Sequence, residues 1–353
     1  MHESIDKSLA KGAWDRLIRK ISADQTDLYE RRSKMLLVST DKLSQGKPNS
    51  SKLISAILLS MQQIFQSSNS LLAANKMKYS KTAGAESVYS FYLCKGQQVL
   101  CLPEVDVKEH IYNEDVLGIS RHKLYIDKNR IEIFDSIWYE HFSRHCFIRW
   151  CMRDKTIDTD QLQNTIRNNL FFMEFIRFSG LQDNLPIAIP FGNGLALGFI
   201  RHGIIPTSLM QTYSLKHGYD VKNVPHNIWA SAHTDKDYAT YLDFRTYVSH
   251  NEMRTSQRVF YHHLSNWRND ITQKVQKIYT LLHHIPSDEL VTAQNIVYYK
   301  IEQYLMELSD LRERFVEFVI SDMWIKGAGD PIDDKAEKLY SSYLRKKELN
   351  KSI

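Results

Sequence analysis

The sequence predicts an α+β protein, with a central antiparallel sheet flanked by helices and a C-terminal antiparallel helical hairpin. Before about residue 80 the apolar residues recur at helical spacing, whereas from residue 87 they alternate with polar residues, as in half-buried strands. Long helical patterns return after residue 252. We therefore expect four regions: a helical N-terminal region (1–80), an α+β core (81–252), a helical hairpin (253–330) and a basic tail (331–353).

The predicted helices follow from apolar residues three and four positions apart and from turn residues at their ends. They cover 4–21, 51–76, 136–153, 160–178, 253–283 and 287–324. Gly180 ends the fourth helix, and His284-Ile285-Pro286 separates the last two. The similar lengths of those two helices favour an antiparallel hairpin.

The predicted strands alternate apolar and polar residues and are separated by turn residues. They cover 87–94, 97–102, 123–126, 130–134, 186–190, 195–201 and 239–248. Lys95-Gly96 is a plausible hairpin turn, Asp127-Lys128-Asn129 joins the next two strands as a second hairpin, and Asn193-Gly194 is the strongest hairpin signal in the chain. The glycines around Asn193 resemble a phosphate-binding loop but lack its spacing, so a hairpin turn is the better interpretation.

Composition excludes several classes of protein. Of the 353 residues, 43% are hydrophobic and 25% are charged, so a disordered chain is excluded. The 13 Gly and 8 Pro exclude a collagen-like polymer, and four cysteines are too few for a disulfide scaffold. The first 20 residues lack the apolar segment of a signal peptide, and no apolar run approaches the roughly 20 residues needed to span a bilayer. We therefore expect a cytoplasmic location.

The charge balance permits nucleic-acid binding without requiring it. The chain has 46 Lys+Arg against 41 Asp+Glu, which gives a formal net charge of +5 at pH 7. Dedicated nucleic-acid binders are usually more basic and carry a clear basic stripe. The use of Lys and Asn, with few glycines, indicates a bacterial host.

The helix predicted over 136–153 carries the most informative residues. Positions four apart drift by about 40° around a helix, so His141, His145, Arg149 and Arg153 are expected to form one row. The remaining residues are apolar nearly all round, which is typical of a buried helix. Buried cations need partners, and arginine binds phosphate or carboxylate with its planar fork. The row therefore predicts either internal ion pairs with acids of the helical hairpin or a cleft that binds an anion.

Histidines at i and i+4 can also ligate a metal. The sequence has neither an HExxH nor a CxxC motif, and its cysteines lack the spacing of zinc ligands. We therefore expect no metal and no cofactor.

The row His145-x3-Arg149-x3-Arg153 is followed by the glycine-turned ribbon 190–198 and by the segments 245–248 and 254–257. Over about residues 138–260 this order resembles, in outline, the small RelE/colicin-type ribonuclease toxins. The resemblance implies a helix and an antiparallel sheet that present side chains to RNA without a metal. It implies catalytic roles for His145, Arg149 and His250. The implied substrate-binding residues are His141, Arg153, Arg245, Thr246 and Gln257.

The chemistry implied by this resemblance can be assigned to residue types. Metal-free RNA cleavage needs a base for the 2′-hydroxyl, an acid for the leaving oxygen and cations for the phosphorane charge. His145 would be the acid or base, because imidazole titrates near neutral pH. His250 would carry the other proton and Arg245 would be a further cation. Each of the strand residues could instead be an ordinary solvent-facing side chain.

Two functions from different classes remain open. The first is a bacterial nucleic-acid-processing protein, specifically a metal-independent ribonuclease of a mobile element or defence system. The second is a non-enzymatic interaction protein, whose C-terminal hairpin binds a protein partner or a second copy of the chain. Apolar residues at helical spacing could supply that interface or close the protein's own core: Leu281, Leu282, Tyr298, Ile301, Leu305, Leu308, Leu311 and Phe315.

Overall fold

The computed structural model confirms the α+β class. It describes residues 5–44, 51–80, 85–99, 113–126, 131–136, 140–204, 238–283 and 291–328. The predicted basic tail and the proposed start of the last helix at Ser287 lie outside the described residues. No helix in these ranges combines the length and the apolar character that crossing a membrane requires.

The described helices lie before, within and after the strands. They are α1 (Lys7–Ser44), α2 (Ser51–Gln66), α3 (Arg144–Asp154), α4 (Thr159–Phe178), α5 (Thr255–His283), α6 (Val291–Val319) and α7 (Asp322–Ala328). The strands are β1 (Leu71–Ser80), β2 (Ala85–Val99), β3 (Asn113–Ile126), β4 (Ile131–Ser136), β5 (Glu140–Ser143), β6 (Pro186–Phe191), β7 (Gly194–Ile204) and β8 (Tyr238–Ser249).

All eight strands belong to one sheet, with the order β1-β2-β3-β5-β8-β7-β6 and with β4 paired to β3. The predicted antiparallel pairing holds for every pair except β5 with β8, which is parallel, so the sheet is mixed. Parallel neighbours need a long crossover connection. Here the chain leaves β5 into α3 and α4 and builds the β6–β7 hairpin before β8 returns beside β5.

The helix predicted over 51–76 is wrong in its last third, because α2 ends at Gln66 and β1 begins at Leu71. A turn held by Asp24 of α1 separates them. Its carboxylate accepts hydrogen bonds from Ser68 Oγ at 2.6 Å and from the backbone N–H groups of Asn69 at 3.1 Å and Ser70 at 3.0 Å. Partial burial alone would raise the pKa of Asp24, but these hydrogen bonds outweigh it and hold the pKa below its usual value.

The hairpin turn predicted at Lys95-Gly96 is also wrong. Strand β2 continues through these residues to Val99, because β3 pairs with it along its whole length, from Glu86 opposite Ile126 to Val99 opposite Asn113. Residues 100–102, the end of the predicted second strand, lie outside the described residues.

The other predicted β pairings are confirmed. Strands β3 and β4 form the expected antiparallel pair, and β6 and β7 form the hairpin around residue 193. The two-residue loop of that hairpin is Gly192-Asn193 rather than Asn193-Gly194. Gly192 has φ +54°, the sign that a type II′ turn requires at its first loop position.

The C-terminal helices α5 and α6 pack against each other with opposite directions. Phe260 stacks on Phe318 with ring centroids 6.0 Å apart, Trp267 contacts Phe315 at 5.5 Å, and Lys274 pairs with Glu307 at 3.5 Å. The connection between the two helices lies in residues 284–290, outside the described residues.

The prediction that one helix continues to Trp324 is wrong, because α6 ends at Val319 and α7 starts at Asp322. The Ser321 hydroxyl donates to Phe318 O at 2.6 Å, which satisfies a carbonyl at the end of α6. Trp324 is fully buried, and its indole N–H donates to Pro186 O of β6 at 2.7 Å. Helix α7 therefore ties the C-terminal helices to the edge of the sheet.

Candidate functional site

Helix α3 begins at Arg144, so the helix predicted over 136–153 is wrong at its start and His141 lies in strand β5. The boundary is set by Ser143, whose Oγ accepts a hydrogen bond from Cys146 N at 3.1 Å as an N-cap. The same hydroxyl donates to Arg245 O of β8 at 3.0 Å. This one side chain therefore fixes both the first turn of α3 and its position beside β8.

The predicted row keeps three of its four members, His145, Arg149 and Arg153. The opposite side of α3 is buried in the core and comprises Cys146, Phe147, Ile148, Trp150 and Cys151. His145 is exposed and Arg149 is half-buried, while 37% of the Arg153 side chain is exposed. The helix is thus buried on one face only, and its basic residues lie on the accessible side.

The Arg149 guanidinium is held by a neutral group. Its Nη1 donates to Thr246 Oγ1 of β8 at 3.2 Å. Within the ranges that the structure describes, no carboxylate forms an ion pair with it. A half-buried guanidinium that meets only a hydroxyl retains most of its donors for an anion.

The other two arginines of the predicted site each have a carboxylate partner. Arg153 forms an ion pair with Glu252, which follows β8. Arg245 is 7% exposed and contacts Asp243, itself 1% exposed, through Nε at 2.7 Å and Nη2 at 2.6 Å. Arg245 is the extra residue of a β-bulge, because Leu197 pairs with Thr246 whereas Gly198 pairs with Phe244.

His141 is buried in the sheet with 8% of its surface exposed. In the parallel β5–β8 pair it lies directly opposite Asp243, and its ring centroid is 5.1 Å from that of Tyr241. The structure therefore brings His141 to the Asp243–Arg245 pair and places it on a different element from His145.

The structure does not bring His250 or Gln257 to α3. The His250 ring lies 6.0 Å from Tyr261 and 6.3 Å from His262, both on α5. Gln257, in the first turn of α5, accepts a hydrogen bond from Arg254 N at 3.1 Å and donates to Gly327 O at 3.5 Å. Both residues therefore belong with the start of α5.

No family model, curated protein or solved structure matches this chain. The case for a function rests on the chemistry of α3, β8 and their surroundings. The resemblance to ribonuclease toxins stays a prediction.

Sequence reasoning missed the acid that positions the far end of α3. Asp154, the last residue of the helix, accepts a hydrogen bond from Tyr247 Oη at 2.5 Å and another from Asn193 N at 2.9 Å. Burial, together with the Asp154 charge, raises the pKa of Tyr247. The carboxylate thus joins α3 to β8 and to the β6–β7 turn. A tyrosine one residue before the predicted end of a strand gives no sequence signal of this contact.

Sequence reasoning also missed a buried charge network beside the site. Arg121 of β3 donates to Glu140 of β5 at 2.5 Å and contacts Glu174 of α4, which in turn pairs with Arg177 at 3.0 Å. Glu140 is fully buried. Burial opposes the charge on Arg121, but Glu140 and Glu174 outweigh that effect and raise its pKa above the usual value. Glu140 is the first residue of β5, and α3 begins directly after that strand. The network therefore fixes the position of the strand that precedes α3.

The described cysteines are not activated. Cys94, Cys146 and Cys151 are free and buried, and burial raises the pKa of each thiol, to about 12 for Cys151. A protonated thiol is a poor nucleophile and a poor metal ligand. In the described ranges no group of three or more His, Cys, Asp or Glu residues is arranged to hold a metal ion.

Proposed function

We propose that the surface formed by α3 and β8 binds phosphate groups of RNA, and that the chain is a cytoplasmic bacterial RNA-processing protein. One observation carries this proposal: Arg149 is half-buried beside Thr246 with no acid among the described residues, whereas Arg153 and Arg245 each have one. Arginine binds the oxygens of a phosphate through parallel hydrogen bonds. Of the three predicted arginines, Arg149 is therefore the one best placed to receive an external anion.

His145 adds the group that could act on the bound phosphate. It lies one turn before Arg149 on α3, and side chains at i and i+4 are about 6 Å apart at Cβ. In the proposed reaction, metal-independent cleavage, His145 takes the proton of the 2′-hydroxyl as its oxygen attacks phosphorus. The bond to the 5′-oxygen then breaks, and that oxygen takes a proton from water. The hydroxide left by this water takes the proton back from His145, which restores the neutral imidazole. Arg149 stabilises the added negative charge.

The remaining predicted residues receive other roles in this proposal. Arg245, held by buried Asp243, positions β8 so that Thr246 meets Arg149. His250 contacts α5, so we assign the second proton transfer to water instead. The proposal therefore depends on one histidine and one arginine of α3.

Replacing Arg149 with glutamine is expected to weaken RNA binding at least tenfold, equivalent to about 1.4 kcal/mol, because a neutral amide cannot form the charged hydrogen bonds. The measurement is fluorescence anisotropy with a labelled 20-nucleotide RNA in EDTA. Arg144→Gln is the matched control, since Arg144 is on the same helix but pairs with exposed Asp15 at 3.1 Å. Equal affinity of the Arg149 variant and the wild type would refute the phosphate site.

Cleavage is followed in the same samples. The wild type should release products with a 2′,3′-cyclic phosphate end in the presence of EDTA, and His145→Ala should bind RNA but cleave it at least a hundredfold more slowly. RNA bound by the wild type but left intact would remove the ribonuclease step and leave RNA binding standing.

Exposed apolar residues on the C-terminal helices and in the turn between α6 and α7 favour a second candidate function, self-association. Leu311 and Phe315, predicted as interface or core, are buried in the core. Leu305, Met306, Ile320 and Ile325, in contrast, are each more than half exposed. We expect a dimer of the 41.4 kDa chain in a light-scattering mass measurement, and a monomer for Met306→Lys. A monomeric wild type at high micromolar concentration would exclude this function.

A further inference from the structure

The start of α5 and the turn before it carry basic and aromatic residues that do not belong to the row on α3. We define the α5 stripe as the set His250, Arg254, Arg258, Tyr261, His262 and Arg268. Arg254, Arg258 and His262 are exposed, and the other three are half-buried. Within the described ranges none of the three arginines forms an ion pair.

The stripe is continuous because its members follow helical spacing. Arg254, Arg258 and His262 are four residues apart, and Tyr261 and Arg268 are seven apart, so they lie on one side of α5. Three rings cluster in its middle: Tyr261 lies 5.7 Å from His262 and 6.0 Å from His250, and His250 lies 6.3 Å from His262. Arginines therefore flank a group of aromatic rings.

The charges of the stripe are placed unfavourably for the isolated helix. The N-terminus of a helix carries partial positive charge, and α5 has no acid in its first turn but has Arg258 there and Arg254 directly before it. Like charges at i and i+4 repel each other as well. At Arg268, partial burial lowers the pKa, with Tyr261 opposing this effect. Among the described residues its side chain donates only to Asn269 Oδ1, at 3.1 and 3.2 Å. A bound polyanion would relieve all three costs.

We propose that the α5 stripe binds single-stranded RNA, with its arginines on the phosphates and its rings stacked on a base. Flexible single strands expose bases that can stack on aromatic side chains, whereas a duplex hides them. From Arg254 to Arg268 the helix rises about 21 Å, which matches a few nucleotides of an extended strand. The inference rests on the proposed function, since it names the RNA class and a second contact surface for it.

The test compares variants by anisotropy with labelled U20, a 20-base-pair RNA duplex, and vesicles of 30% anionic phospholipid. The Arg254→Gln/Arg258→Gln double variant should bind U20 at least tenfold more weakly. The number of ions released on binding, read from the slope of log Kd against log salt concentration, should fall by about one per arginine. Its thermal unfolding midpoint should stay the same or rise, because like-charge repulsion is removed. Arg314→Gln is the matched control, an exposed helical arginine paired with Asp310 at 3.0 Å.

Tyr261→Leu separates stacking from charge. It should weaken U20 binding several-fold and leave duplex binding nearly unchanged, so that the preference for single strands falls. If the arginine double variant binds U20 like the wild type, the stripe proposal is overturned. Tighter binding to vesicles or to duplex than to U20 would overturn it too.

The outcomes for the two surfaces can be told apart. If the α5 variants lose affinity while Arg149→Gln does not, the α3 site fails and the stripe stands. Loss with Arg149→Gln alone gives the reverse conclusion. Additive losses in a variant that combines them support both surfaces on one RNA strand.

Discussion

Replacing Glu140 with glutamine is expected to lower the free energy of unfolding by about 3 kcal/mol. Glu140 is fully buried in β5 and accepts a hydrogen bond from Arg121 Nη2 at 2.5 Å. A neutral amide would remove the charge of one of the two acids, Glu140 and Glu174, that contact the Arg121 guanidinium, which is only 14% exposed. An incompletely neutralised buried charge is costly because water cannot solvate it. Urea unfolding followed by tryptophan fluorescence measures the loss.

Two further variants separate the cost of an unpaired charge from the loss of an interaction. Glu174→Gln should cost less than Glu140→Gln, since 21% of the Glu174 side chain reaches solvent. Arg121→Met/Glu140→Leu should recover most of the stability, because removing both buried charges leaves none unpaired. A Glu140→Gln variant within 1 kcal/mol of the wild type would show that the network contributes little.

Gly198→Ala is expected to cost about 3 kcal/mol or more, or to prevent folding. A Cβ at this position would lie 2.0 Å from Asp243 O and 2.7 Å from Phe244 Cα. These are backbone atoms of the paired strand at the β-bulge, so β7 and β8 would have to separate. Because the bulge places Arg245 and Thr246, the RNA binding that we propose for Arg149 should weaken in any fraction that folds.

Gly12→Ala is the control for this substitution and should have the opposite sign. Gly12 lies inside α1, and its added methyl would meet only the end of the flexible Arg16 side chain, at 3.4 Å. Alanine in a helix interior is favoured over glycine by about 0.5–1 kcal/mol. Thermal unfolding of both variants provides the comparison. A Gly198→Ala protein as stable as the wild type would contradict the close approach of the two strands.

Features governed by local chemistry were predicted from the sequence. The β6–β7 hairpin followed from glycines around Asn193, and α4 from apolar spacing that ends near Gly180. Features governed by distant partners were missed. Residues 71–76 fit a helical spacing, yet they form a strand that pairs with β2. Lys95-Gly96 has the composition of a turn, but β3 pairs with the residues before and after it and keeps the strand continuous. A strand as short as β5 leaves no periodicity to detect, so the sequence pattern predicts a helix at His141.

In the candidate site, only the basic residues of α3 were predictable from the sequence. The spacing of His145, Arg149 and Arg153 correctly indicated one side of a helix. The partners of the two arginines could not be found in the same way, because Thr246 and Glu252 come from chain segments about a hundred residues away. Whether an arginine meets an acid or a hydroxyl is decided by tertiary packing, and that difference is what singles out Arg149.

The shortness of β5 has a consequence for how the sheet opens. This four-residue strand is the sole bridge between the β1–β4 half and the β6–β8 half of the described sheet. We therefore expect amide hydrogen exchange to show two cooperative units, one on each side of β5. The amides of β5 should exchange at a lower opening free energy than those of either unit. Helix α3 begins directly after β5. A nucleic acid bound to both α3 and β8 would therefore link the two halves of the sheet and stabilise them against separation at β5.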